Sequence, residues 1–177
     1  MKFIWDVADF EARQAESLLI EPCHFLLALF KAVDVDVTTV VQDKQSLAER
    51  DLVLEELLRE VARLRRVFEY AKVNPREFRH QYREIVASPL STPSQYRLHR
   101  SPSSREIFKQ SQKLARLHHP EILPTHLLDS LLSIEDANRD SVLNRQNIGA
   151  ENIRHAVRTE LLNISGDQGN KNDWGLN

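Results

Sequence analysis

Residues 20–30 read IEPCHFLLALF and residues 122–132 read ILPTHLLDSLL. Both run Ile, any residue, Pro, any residue, His, any residue, Leu, then continue apolar, and the second begins 102 positions after the first. Proline suits the first turn of a helix, where its missing N–H costs nothing and its fixed φ is already helical. After Pro22 come Phe25, Leu26, Leu29 and Phe30, and after Pro124 come Leu127, Leu128, Leu131 and Leu132. That spacing lays one apolar face along a helix. Each phrase therefore reads as a helix start facing a core. His24 and His126 fall in the first turn, where a ring nitrogen can hydrogen-bond locally while the ring packs.

The correspondence extends outward. RVFEYAKV at 66–73 matches SVLNRQNI at 141–148, pairing Val67 with Val142, Phe68 with Leu143 and Val73 with Ile148. Beyond it Phe78, Tyr82 and Val86 fall opposite Ile153, Val157 and Leu161. The offset here is 75 rather than 102, so the first unit holds 27 extra residues somewhere between about 31 and 66. Much of that surplus is amphipathic. Leu54, Leu57, Val61, Leu64, Phe68 and Ala71 are spaced three and four apart, a heptad-like seam. Glu55–Arg59 and Arg65–Glu69 sit at helical i,i+4 spacing beside it. Arg59, Arg63 and Arg66 run along one side of the same helix, placed to meet an acidic partner.

The rest of the chain is punctuation. Asn74, Pro75 and Glu77 read as N-cap, first helical residue and capping-box acid. VDVDVTTVV at 33–41 alternates like a strand, but a lone strand finds no partner in so helical a chain. Asp36 is read as an N-cap instead, with the valines helical. SPLSTPSQYRLHRSPSS at 88–104 has ten Ser, Thr or Pro among its seventeen residues and reads as a linker with Arg97, His99 and Arg100 exposed. The polar end SGDQGNKNDWGLN reads as a fraying tail.

Composition narrows the class. At 177 residues, with 41% hydrophobic and 28% charged residues, the chain can bury a core as one large domain or two small ones. Four glycines disfavour a turn-rich β architecture, and a net charge of −2 gives no global pull toward nucleic acid or membrane. Cys23 is the only cysteine, so no internal disulfide forms. MKFIWDVADF carries Asp6 and Asp9 where a signal peptide needs an apolar run, and no stretch reaches the roughly 18 apolar residues of a span. A cytoplasmic location is expected.

No constellation for chemistry emerges. Cys23, near a helix N-terminus where a thiol pKa is lowered, adjoins His24, but neighbouring helical residues point about 100° apart and do not pair. His118, His119 and His126 have no acid or cysteine at a metal-ligand spacing and read as structural. No G-x-x-x-x-G-K-[ST] occurs, so no P-loop and no ATPase motor are expected. The stretch 76–113 holds eight bases and three acids, with Tyr82 and Tyr96 available for stacking. Its bases are spread over two helices and the linker, which argues against nucleic acid as a partner.

Taken together, SSREIFKQSQKLARLHHPEILPTHLLDSLL at 103–132, NIGAENIRHAVRTEL at 147–161, EARQAESLLIEPCHFLLALF at 11–30 and VFEYAKVNPREFRHQYREIV at 67–86 resemble the N-terminal repeat domain of Clp-type AAA+ unfoldases. The resemblance implies an all-α fold made of two four-helix repeats, the first enlarged by a helical insertion. It divides the chain into a first repeat at 1–87, a linker at 88–104, a second repeat at 105–164 and a tail at 165–177. It also implies a non-catalytic interaction module without a cofactor, an accessory of a Clp-like chaperone or protease system. Its partners would be an AAA+ ATPase, a protease core, an adaptor or an unfolded client. In the family the residue before the repeated His is usually Glu, which in some members helps bind phosphorylated arginine or a basic partner. Cys23 and Thr125 stand there instead, so that site is not expected to carry over, although both positions remain candidates for partner contact. The alternatives are a homodimer joined along the 54–71 seam and, third, a weak nucleic-acid binder using 76–113.

Overall fold

A computed structural model describes residues 1–36, 47–86, 98–117 and 119–171, with side chains for all of these except 47–50 and 164–171. The described residues form eight helices and two short strands. The first four helices are α1 (Lys2–Gln14), α2 (Pro22–Ala32), α3 (Leu47–Tyr70) and α4 (Pro75–Val86). The second four are α5 (Pro102–Ala115), α6 (Pro124–Leu132), α7 (Ala137–Arg145) and α8 (Ala150–Lys171). Strands β1 (Leu19–Ile20) and β2 (His99–Arg100) pair in parallel, Leu19 opposite His99 and Ile20 opposite Arg100.

The packing has the order that two like halves would give. α1 packs on α2 as α5 packs on α6, and α2 packs on α4 as α6 packs on α8. Across the halves, α3 lies on α8 and α7 on α4. The helix ends at offset 75 correspond in detail. Lys72 and Asn147 both take positive φ, at 57° and 58°. The N–H of Val73 bonds the carbonyl of Phe68 at 2.9 Å, and that of Ile148 bonds Leu143 at 3.1 Å. Both are left-handed helix stops, with the following apolar residue buried behind. Val67, Phe68, Val142 and Leu143 are all buried in one core, together with Phe78, Tyr82, Ile153, Val157 and Leu161.

The repeated phrase has a local explanation. Pro22 and Pro124 each open their helix, and the His two residues on turns back to the residue before the proline. The N–H of Glu21 donates to His24 Nδ1 at 2.9 Å, and the N–H of Leu123 donates to His126 Nδ1 at 3.0 Å. Histidine thus does the work that Glu or Gln does at the third position of a capping box. Both rings are buried. Burial drives the His24 pKa down to about 4, with the nearby Glu11 charge only partly opposing it.

Polar ties fix the helices around this core. Glu11 on α1 is buried, and Arg83 Nε on α4 donates to its Oε2 at 2.8 Å while Lys31 on α2 reaches Oε1 at 3.3 Å. Burial alone would raise the Glu11 carboxyl, but Arg83 and Lys31 together hold it below the usual range. Tyr82 on α4 donates to Asp136 Oδ2 at 2.5 Å, and Asp136 in turn caps α7 by accepting from the N–H of Arg139. Glu11→Gln is expected to lower stability by about 2 kcal/mol, the worth of hydrogen bonds to a charged group, because Arg83 keeps some solvent of its own. A shift in the urea midpoint measures it.

Several sequence expectations change. The linker ends sooner than 104, since Ser101 caps α5 by accepting from the N–H of Ser104 at 3.1 Å. Leu98 and Ser101 are buried, and the Ser101 N–H and Ser104 hydroxyl both donate to the carbonyl of Ile20. Arg100 is not free in solvent: its guanidinium lies 5.0 Å from the Trp5 ring centroid and 4.7 Å from that of Phe108. Helix α8 runs to Lys171, past the expected tail boundary at 165. Asn74 does cap α4, accepting from the N–H of Glu77 at 3.2 Å, but its own N–H goes to Gln146 Oε1 in the other half, so the capping box is one-sided. Arg65 bonds the carbonyl of Val33 at 2.8 Å rather than Glu69, closing the end of α2. The helix expected to start at Asp36, Arg97 and Tyr96 of the linker, His118, and Trp174 of the tail lie outside the described residues.

Candidate functional site: an apolar groove beside α3

A groove of about 290 Å³ opens between the start of α1, the middle of α3 and the start of α6. Phe3, Ile4, Val53, Leu57, Val61 and Pro124 supply most of its wall, and Ala32 and Leu64 its floor. Its α3 side falls mostly in the turns by which α3 (Leu47–Tyr70) is longer than α7 (Ala137–Arg145). Val53, Glu56, Leu57, Glu60 and Val61 of α3 line it opposite Lys2, Phe3, Ile4 and Asp6 of α1. Val61 and Leu64 are buried, Leu57 is half-buried, and Val53 and Leu52 stand exposed toward the helix start.

The groove is not wholly apolar. Asp6, Glu56 and Glu60 line it, and so do Lys2 and Met1 with its amino group. Glu60 is only 7% exposed. Its Oε1 is paired with Arg63 on the next turn, whereas its Oε2 has no hydrogen-bond partner among the described residues. Burial raises the Glu60 pKa, and Arg63, with smaller help from the amino terminus and His119, offsets this in part.

The positions singled out from sequence scatter. Thr125 is fully buried within α6, so it offers nothing to a partner. Cys23 is partly exposed, but its thiol is pushed up to about 12, chiefly by burial and then by Glu21 and Asp136, opposite to the lowering expected at a helix start. Arg59 is exposed and tied to Glu55 at 2.7 Å. Arg63 serves Glu60, and Arg66 crosses to α8, its Nε donating to Glu160 Oε2 at 3.2 Å. The three arginines therefore do not form a free basic stripe. Pro22, His24, Pro124 and His126 are all engaged in starting α2 and α6.

The alternatives also meet constraints. Val61, Leu64, Phe68 and Ala71 of the 54–71 seam are spent in the chain's own core. Tyr82 is buried, Arg79 pairs with Asp34 and Arg83 with Glu11, which takes one aromatic ring and two of the eight bases of the 76–113 stretch away from any phosphate-binding face. No group of three or more metal-ligating side chains occurs among the described residues, and no described helix is long and apolar enough to cross a membrane.

Compared by sequence, the chain matches no protein-family model and no curated protein. Among solved structures it is similar to the N-terminal domain of Hsp104 from Candida albicans, with a TM-score of 0.57 at 14% identity over 88% of this chain and 85% of that one. It is similar as well to the N-terminal domain of the caseinolytic protease associated chaperone ClpD from Arabidopsis thaliana, with a TM-score of 0.57 at 17% identity over 90% of each chain. At these identities the likeness is one of fold.

Proposed function

We propose that this chain, which has the fold of a Clp N-terminal domain, is a non-catalytic module that takes a segment of another protein into the groove beside α3. The groove carries the reading: it is concave, it is walled largely by apolar side chains on helices, and its described lining holds no nucleophile with a base. Burying one leucine-sized side chain there contributes about 1.5–3 kcal/mol, so two or three such contacts suffice for reversible binding. The setting we infer is a Clp-like chaperone or protease system, in which the module serves an AAA+ ATPase, an adaptor or an unfolded client. A duplicated ancestry, with α3 extended in the first copy only, accounts for the matching helix stops at Lys72 and Asn147. The homodimer reading keeps only the outer end of α3, where Leu52 and Leu58 are exposed.

The test uses a labelled, reduced and carboxymethylated protein that cannot fold, with binding followed by fluorescence anisotropy. Leu57→Asp places a charge in the groove and is expected to weaken binding by about tenfold or more. Because Leu57 is only half-buried, the urea midpoint should move little. Equal binding by both proteins would remove the groove from the account.

A further inference from the structure

We propose that the groove selects segments in which an apolar side chain stands next to a cationic one, the cation being received by Glu60. The inference rests on the groove reading above and specifies its partner.

A carboxylate presents about four acceptor sites on its two oxygens. Arg63 occupies Oε1 of Glu60, and Oε2 is buried with nothing to accept from among the described residues. The side chain is about nine-tenths buried and belongs to the groove lining. A buried acceptor left open is costly, and more so when it carries charge. Nothing on the helix relieves it, because Arg63 is already committed and Arg59 points to Glu55 in solvent. On the rim Asp6 and Glu56 are matched by Lys2 and the Met1 amino group, so the preference for a cation rests on Glu60 itself. An incoming guanidinium or ammonium has donors to spare after one bond. It fills the open acceptor, while its apolar neighbour occupies the space among Phe3, Val53 and Leu57. Glu60 lies on the part of α3 that has no counterpart in α7, so this selectivity belongs to the lengthened helix.

Two labelled peptides test the assignment, identical except that one carries Leu-Arg-Leu and the other Leu-citrulline-Leu at the centre of a Gly/Ser context. Citrulline keeps the shape of arginine and removes its charge. The chain should bind the arginine peptide about tenfold more tightly. Glu60→Gln should bring the arginine peptide down to the affinity of the citrulline one and leave the latter unchanged. The wild-type comparison stands by itself if that variant fails to fold. Equal affinities for the two peptides on the wild-type chain, or an arginine advantage that survives in Glu60→Gln, would overturn the assignment while leaving the groove in place. Binding of neither peptide, or binding unaffected by Leu57→Asp, would overturn the groove reading as well.

Discussion

Phe30→Ala should cost about 4 kcal/mol of unfolding free energy, within the range for deleting a buried aromatic ring. Phe30 is fully buried on α2, its ring centroid 4.4 Å from that of Phe68 on α3 and 4.1 Å from that of Phe78 on α4. Losing it leaves a cavity where three helices of the first half meet, and helices cannot collapse easily onto a gap bounded by two further rings. The same deletion at Leu117, which is 74% exposed, should change stability by less than about 0.5 kcal/mol. Urea unfolding of the two variants against the parent measures both. A loss at Phe30 below about 1 kcal/mol would mean that this aromatic cluster does not hold the first half together.

Acid should destabilise the protein between about pH 6.5 and pH 4, and His24 should account for about 3 kcal/mol of it. The unfolded chain titrates this histidine near 6.5, whereas burial lowers it to about 4 in the fold. Between those values the unfolded state binds a proton that the native state refuses, so stability is complete above the upper value and falls as pH drops. The geometry gives the same sign, because a proton on Nδ1 would abolish the bond from the N–H of Glu21. Glu11 adds to the loss lower down, as its depressed carboxyl is titrated. His24→Gln keeps an acceptor at the capping position without a titration, and should flatten the upper part of the profile. An unchanged slope in that variant would show that the pH dependence arises elsewhere.

Much of the fold could be read in the sequence because its signals are local. Proline at a helix start, leucines at helical spacing and the paired apolar sets around 66–73 and 141–148 needed no knowledge of the partner helices. The strands β1 and β2 could not be read, for two residues have no periodicity, and the tie from Ser101 and Ser104 to Ile20 spans more than eighty residues. Arg100 reads as a solvated base beside serines and prolines, yet it is held by Trp5 and Phe108 from two distant helices. The site was legible only in part. The seam pointed to α3, and the surplus residues pointed to what sets the first half apart. That Arg63 and Arg66 would be used internally, by Glu60 and Glu160, depends on helix rotation and on α8, which spacing along α3 does not encode. Thr125 shows the same gap: its place before the repeated His suggested a surface, and the helix turns it fully inward.

The most direct measurement is a titration of the methyl-labelled chain with the carboxymethylated unfolded protein, following isoleucine, leucine and valine resonances by NMR. The groove account predicts that Ile4, Val53, Leu57 and Val61 shift first and together, while exposed Leu18, Leu117 and Leu162 stay in place. Shifts confined to those outlying leucines, or none at saturating ligand, would contradict it.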